Sequence, residues 1–279
     1  MKKCLSVCAA LLLLGQAAVL WCQPKVSEPE AAFEKRILKA SEGLAGLAGS
    51  FKTDEGPLGL ILRGKAAESD ELTGQEMMAF GLADGTIVAG GAVYSPAGED
   101  LMCKYVSVLN REVLRNTAGL YQSQKLKASG KPVKTLYVFI DPLCGNCRIM
   151  RGGELPAWFE KNGVQLLWVP VSIFNQSQLA GADFLESGTW QMNSVFDQNI
   201  GRLQPGEKAL ALVSGNLKRL LRLHPGQEIP TPFLFWEREV TADDLSGLGS
   251  FVGIPTVSQA QGFINEIIAA PPRGHAVLQ

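Results

Sequence analysis

Residues 136–150, Leu-Tyr-Val-Phe-Ile-Asp-Pro-Leu-Cys-Gly-Asn-Cys-Arg-Ile-Met, constrain the fold more than any other stretch of this chain. Leu136 to Ile140 are apolar, β-branched or aromatic without a polar break, the pattern of a strand buried on both faces. Asp141-Pro142 ends the strand, because proline has no N–H to give to a ladder. Cys144 and Cys147 follow with two residues between them, opening a segment that can run on as a helix. The first turn of a helix offers unpaired N–H groups and the positive end of the macrodipole, so a thiolate at Cys144 is stabilised there. The two sulfurs are also spaced to close a small disulfide ring.

Two blander readings are weaker. A zinc half-site needs two more ligands at similar local spacing. Outside the pair, the chain has only Cys103, His224 and His275 beyond the N-terminal cysteines, with no paired motif among them. A purely structural disulfide across so short a loop constrains little unfolded-state entropy. Redox exchange remains, and strand, turn, Cys-x-x-Cys, helix predicts a thioredoxin-like α/β fold without metal or cofactor.

The rest of the sequence is compatible with that chemistry. The chain has 279 residues, 46% hydrophobic and 19% charged, enough apolar material for one large domain or two smaller ones. Net charge is −1 with no basic stripe, which argues against nucleic acid as a partner. Residues 1–22 read as a secretory leader: Lys2 and Lys3 precede a ten-residue apolar run, Leu5 to Leu14, and small residues follow at Gly15, Ala17 and Ala18. Two alternatives are a lipidated Cys22, disfavoured by the bulky Trp21 before it, and a retained anchor, for which Cys4 to Trp21 is at the short limit. Export places the protein where disulfides persist. Of six cysteines, Cys4 and Cys8 leave with the leader and Cys22 sits at its end, so the mature chain keeps the pair and a lone Cys103. That is no disulfide-stapled scaffold; it suits a protein that handles the disulfides of others.

Along the chain, Ala31 to Leu47 has helical spacing, with Phe33, Ile37, Leu38, Leu44 and Leu47 toward one face. Leu58 to Leu62 reads as a strand, and Met77 to Leu82 with Thr86 to Tyr94 as a hairpin about Asp84-Gly85. Residues 95–100 form a turn, and Leu101 to Leu126 is helical in pattern, a connecting rod or an ordinary core helix. Beyond the redox strand the helix runs to Lys161 with a break expected at Gly152, Gly153 and Pro156. Val164 to Ile173 is a strand, and Asn175 to Leu223 a mostly helical insertion broken near Gly188 and Pro205-Gly206. Thr231-Pro232 then stands directly before the apolar run Phe233 to Trp236; cis costs little for an X-Pro bond, and a cis Thr231-Pro232 would offer the Thr231 backbone to an extended polypeptide. Ser250 to Pro255 suits a last edge strand and Val257 to Ala269 a closing helix.

Tyr137 to Cys147 resembles the active-site segment of bacterial periplasmic thiol:disulfide interchange proteins of the DsbC/DsbG type. Thr231-Pro232 is similar to their cis-proline position, Val252-Gly253-Ile254-Pro255 to the segment before their last helix, and Gly85 to Leu101 to their N-terminal module. The likeness spans most of residues 55–279. It departs at Gly145-Asn146, where the family more often carries an aromatic second residue, and in lacking the family's second, structural disulfide. The resemblance implies a signal peptide (1–22), a small α+β dimerisation domain (23–104), a helical linker (105–132) and a thioredoxin-like catalytic domain with a helical insertion (133–279). It further implies a periplasmic, V-shaped homodimer in which Cys144 attacks disulfides of misoxidised exported proteins and Cys147 resolves the mixed disulfide. Thr231 and Pro232 would hold substrate, with Asp141, Pro142, Gly145 and Asn146 supporting the pair. A membrane-embedded electron donor would keep the pair reduced. The rivals are a disulfide oxidase on the same fold and a non-enzymatic chaperone or structural part of an envelope or conjugation machine.

Overall fold

A computed structural model describes residues 30–64, 75–122, 133–188, 199–225 and 229–270. The leader expected over residues 1–22 lies outside them. Among the described residues, no helix is long and apolar enough to cross a membrane.

The first unit is a four-stranded antiparallel sheet in sequential order: β1 (Ala45–Lys52), β2 (Leu58–Gly64), β3 (Glu76–Gly81) and β4 (Ile87–Ala89). Period-two alternation gives it two apolar faces. Leu60, Leu62 and Ala79 pack beneath Phe33 and Ile37 of α1 (Glu30–Ala40). Ile61, Met78 and Phe80 pack on Leu101 of α2 (Leu101–Lys104) and on Leu109 and Val113 of α3 (Val106–Arg115). The expected hairpin is present; Leu82 N–H bonds to Thr86 O at 2.8 Å across Asp84-Gly85, and β4 stops where Gly90 and Gly91 take positive φ.

The second unit is a six-stranded sheet in the order β5 (Leu120–Tyr121), β7 (Val164–Pro170), β6 (Val133–Ile140), β8 (Phe233–Glu237), β9 (Leu248–Val252), with β10 (Ala269–Ala270) beside the start of β6. β6 and β7 are parallel, joined by α4 (Gly145–Gly152) and α5 (Leu155–Lys161); β8 and β9 run antiparallel and lead into α8 (Val257–Ile264). Parallel βαβ followed by an antiparallel pair and a closing helix is the thioredoxin-like fold. The insertion between β7 and β8 carries α6 (Ser177–Ser187), a short 3₁₀ turn (Ile200–Arg202) and α7 (Glu207–Leu223). Alternate residues of β6 face opposite sides: Leu136, Val138 and Ile140 meet Met150, Phe159 and Phe263, whereas Tyr137 and Phe139 meet Leu114, Leu220 and Phe235.

Two expectations need correction. The helix anticipated over Ala31 to Leu47 ends at Ala40, because Glu42 and Gly43 take φ of 51° and 82°, and Leu44 and Leu47 belong to the approach to β1 and to β1 itself. The helical pattern from Leu101 to Leu126 stops at Arg115. There the buried Asn216 side chain takes Ala118 N–H at 2.8 Å and donates to Ala118 O and Pro170 O, turning the chain into β5. Gly119 is pressed so close to the Trp168 carbonyl that a Cβ would stand 2.5 Å from its oxygen. The expected break after α4 is found between Gly152 and Leu155, and the insertion breaks at Gly188, in the left-handed region at φ 67°.

α3 touches both units. Leu109 and Val113 enter the first core and Leu114 the second. Arg115 clasps the buried Glu237, with Nε 2.6 Å from Oε1, and Asn110 donates to Ser246 O at 3.1 Å. From the other side, Arg219 of α7 donates from Nε and Nη2 to Oε1 of the fully buried Glu76, at 3.1 and 3.0 Å.

Candidate active site

The sequence places Cys144 where β6 gives way to α4. Asp141 O accepts Cys144 N–H at 3.0 Å and Cys144 O accepts Arg148 N–H at 3.2 Å, so Cys144 is the last extended residue, at φ −73° and ψ 123°, capping the helix. Its sulfur is half-buried and unbridged, and donates to Thr231 O at 3.3 Å. The bond from Thr231 to Pro232 is cis, as the sequence suggested. The register Phe139↔Phe233 brings that segment to the nucleophile, since each segment leaves its strand at the same end of the sheet. Pro232 O in turn accepts Gly253 N–H at 2.8 Å, tying the turn to the end of β9.

Cys147 is one helical turn on and faces inward, with no exposed surface. Burial pushes its thiol well above the ordinary range, and the neighbouring Cys144 sulfur adds to this, while the Thr231 side chain and the Asp141 backbone favour its anion. The pair is thus asymmetric: one sulfur reachable, the other held protonated beneath it. Gly145 and Asn146 are both exposed at the start of α4 and Pro142 is buried.

The structure gives Asp141 a setting that the sequence did not disclose. Its carboxylate is fully buried and accepts four hydrogen bonds: Leu143 N–H and Ser177 O–H on Oδ1, each at 2.8 Å, and Ile173 N–H at 2.7 Å and Phe174 N–H at 3.1 Å on Oδ2. Ser177, Ile173 and Phe174 were missed as parts of the site, because they stand 32 to 36 residues away in sequence and carry no motif. Ser177 at the first position of α6 is the only local hint. Leu143 packs with Ala180, Ile200 and Leu203, so the insertion abuts the active-site turn.

Cys103, exposed on α2, donates to Asp100 Oδ2 at 3.4 Å, and that carboxylate raises its pKa. Among the described residues no cluster of three His, Cys, Asp or Glu is placed to hold a metal ion.

Comparison with family models and with curated proteins found no match. Among solved structures, the chain is similar to Proteus mirabilis ScsC in a compact conformation, at 18% identity over 57% of this chain and 77% of that one, with a TM-score of 0.40. A periplasmic thioredoxin-like protein from Salmonella enterica serovar Typhimurium matches at 17% identity over 57% of this chain and 95% of its own, TM-score 0.40. The catalytic domain of P. mirabilis ScsC matches at 15% identity over 58% and 97%, TM-score 0.39.

Proposed function

We propose that this protein exchanges thiols and disulfides with exported proteins, as a reductase or isomerase of the DsbC/DsbG type. The observation that supports it most is the half-exposed Cys144 sulfur, 3.3 Å from the Thr231 carbonyl and directly above a buried, protonated Cys147. The Cys144 thiolate attacks one sulfur of a substrate disulfide; a mixed disulfide forms and the other substrate sulfur leaves as a thiolate. If a different substrate thiolate then attacks the substrate sulfur of the mixed disulfide, a new substrate disulfide forms, Cys144 leaves as a thiolate, and the substrate is isomerised with no net electron transfer. If Cys147 instead loses its proton and attacks Cys144 Sγ, the substrate leaves as a dithiol and the pair is oxidised by two electrons. The high affinity of Cys147 for its proton, set by burial, slows the second route and leaves time for the first.

Restoring the pair requires a two-electron dithiol donor, for which a membrane-embedded partner of an exported enzyme is the fitting source. Periplasmic location and pairing of two chains through the N-terminal module belong to the same proposal. Cys144→Ala is expected to abolish insulin reduction and reactivation of scrambled ribonuclease. Cys147→Ala is expected to accumulate mixed disulfides. Full activity without Cys144 ends the proposal. Thiol trapping in cells assigns direction: a reduced pair marks a reductase or isomerase, an oxidised pair an oxidase.

A further inference from the structure

Resting on thiol–disulfide exchange at Cys144, we propose that Asp141 is a positioning residue that holds Phe174 beside the nucleophile, where the ring selects substrates with an apolar residue next to the reactive cysteine. Phe174 is 50% exposed, in the short connection between β7 and α6. Its backbone is nonetheless fixed. Phe174 N–H and Leu143 N–H bond to the two oxygens of one carboxylate, and Cys144 N–H bonds to the carbonyl of that same residue. The nucleophile turn and the aromatic are therefore registered to each other through a single buried side chain.

Two further observations point the same way. Gln176 takes a left-handed φ of 65°, a conformation a non-glycine residue holds only when its surroundings require it, and this bend brings the Ser177 hydroxyl to Asp141 Oδ1. Val252, opposite Phe233 at the end of β9, is 49% exposed, and its neighbour Gly253 gives its N–H to Pro232 O at 2.8 Å. An extended polypeptide lying along the Thr231 carbonyl would have Phe174 as an apolar wall beside its cysteine.

All four partners donate to the carboxylate. An amide could turn its NH₂ toward Leu143 N–H and the Ser177 hydroxyl, which can accept, and keep its oxygen for Ile173 and Phe174, so alanine is the informative replacement: it leaves the Leu143, Ile173 and Phe174 N–H groups without this acceptor. The loop bearing Phe174 then loses its anchor although Cys144 keeps its own.

The test is single-turnover reduction by the pre-reduced, full chain of two peptides with one disulfide each, one with phenylalanine and one with serine beside the cysteine. An aromatic contact corresponds to about 3- to 10-fold in rate. Phe174→Ser is expected to slow the phenylalanine peptide by about that factor and leave the serine peptide unchanged, with Phe174→Tyr retaining the preference. Asp141→Ala is expected to lose the same preference, and the double variant to lose no more than either. A preference unchanged in Phe174→Ser overturns the proposal, as does multiplicative loss in the double variant. Should Asp141→Ala fail to fold, the two Phe174 variants decide. If the unaltered protein reduces neither peptide, thiol–disulfide exchange itself is refuted and the proposal with it; if it reduces both equally, only the proposal falls.

Discussion

Glu76 is the most informative residue to remove outside the redox site. It lies on β3 with 1% of its side chain exposed, and Oε1 has Arg219 Nη2 at 3.0 Å and Arg63 Nε at 3.2 Å. Its backbone carbonyl also receives Arg222. The arginines are themselves mostly covered, Arg219 at 8% and Arg63 at 14% side-chain exposure. Glu76→Ala leaves Arg63 with Glu112, 3.3 Å away, and takes from Arg219 the carboxylate it bonds among the described residues. Removing one partner of a buried pair costs about 3–5 kcal/mol, whereas an exposed pair contributes about 0–1 kcal/mol. The pairing is also imperfect, since among the described residues Glu76 Oε2 has no hydrogen-bond partner and Arg63 Nε is near the carboxylate without hydrogen-bond alignment. Replacing both members with leucine, Glu76→Leu with Arg219→Leu, should therefore recover most of the loss. Urea denaturation followed by tryptophan fluorescence gives both numbers, and hydrogen exchange in β2 and β3 reports whether the first sheet loosens from α7. A loss under about 1 kcal/mol for Glu76→Ala would refute the reasoning, because it would mean that water reaches this contact and the two units are only loosely apposed.

Two other outcomes follow from the geometry. Because burial raises the Cys147 pKa, the folded chain keeps that proton where the unfolded chain has lost it; stability of the reduced protein should fall above about pH 8.5, by up to roughly 1.4 kcal/mol per pH unit, and Cys147→Ala should flatten that slope in thermal melts. Asn216→Ala removes three buried hydrogen bonds of 2.8 to 2.9 Å and orphans Ala118 N–H, so a loss of about 3–5 kcal/mol in chemical denaturation is expected, and a loss below about 1 kcal/mol counts against it.

What could be read from the sequence was whatever adjacent residues carry together. Cys144 and Cys147 lie three apart behind an unmistakable buried strand, and Thr231-Pro232 abuts another; each local pattern fixes its own geometry. The contacts that organise the site are of a different kind. Asp141 meets three of its four partners across 32 to 36 residues, Asn216 meets Ala118 across 98, and Arg219 meets Glu76 across 143. Polar side chains read singly carry no sign of which distant backbone they will satisfy. The misjudged helix ends have a simpler cause: Leu44 and Leu47 fit both the helical face and the alternation of a strand, and only the positive φ at Glu42 and Gly43 breaks the tie. Similarly, nothing in residues 116–121 announces that Asn216 will bend them onto β7.

The pairing of β6 with β8 works as a caliper. Phe139 opposite Phe233 sets the gap between the nucleophile and the carbonyl it addresses by counting residues along two neighbouring ladders, independently of the loops beyond. Shortening residues 229–232 by one would shift every atom on one jaw and none on the other. The helical detour between β7 and β8 meets that gauge where Ser177 reaches Asp141 and where Ala180, Ile200 and Leu203 pack on Leu143, so changes there bear on the sulfur's setting more than changes elsewhere along it.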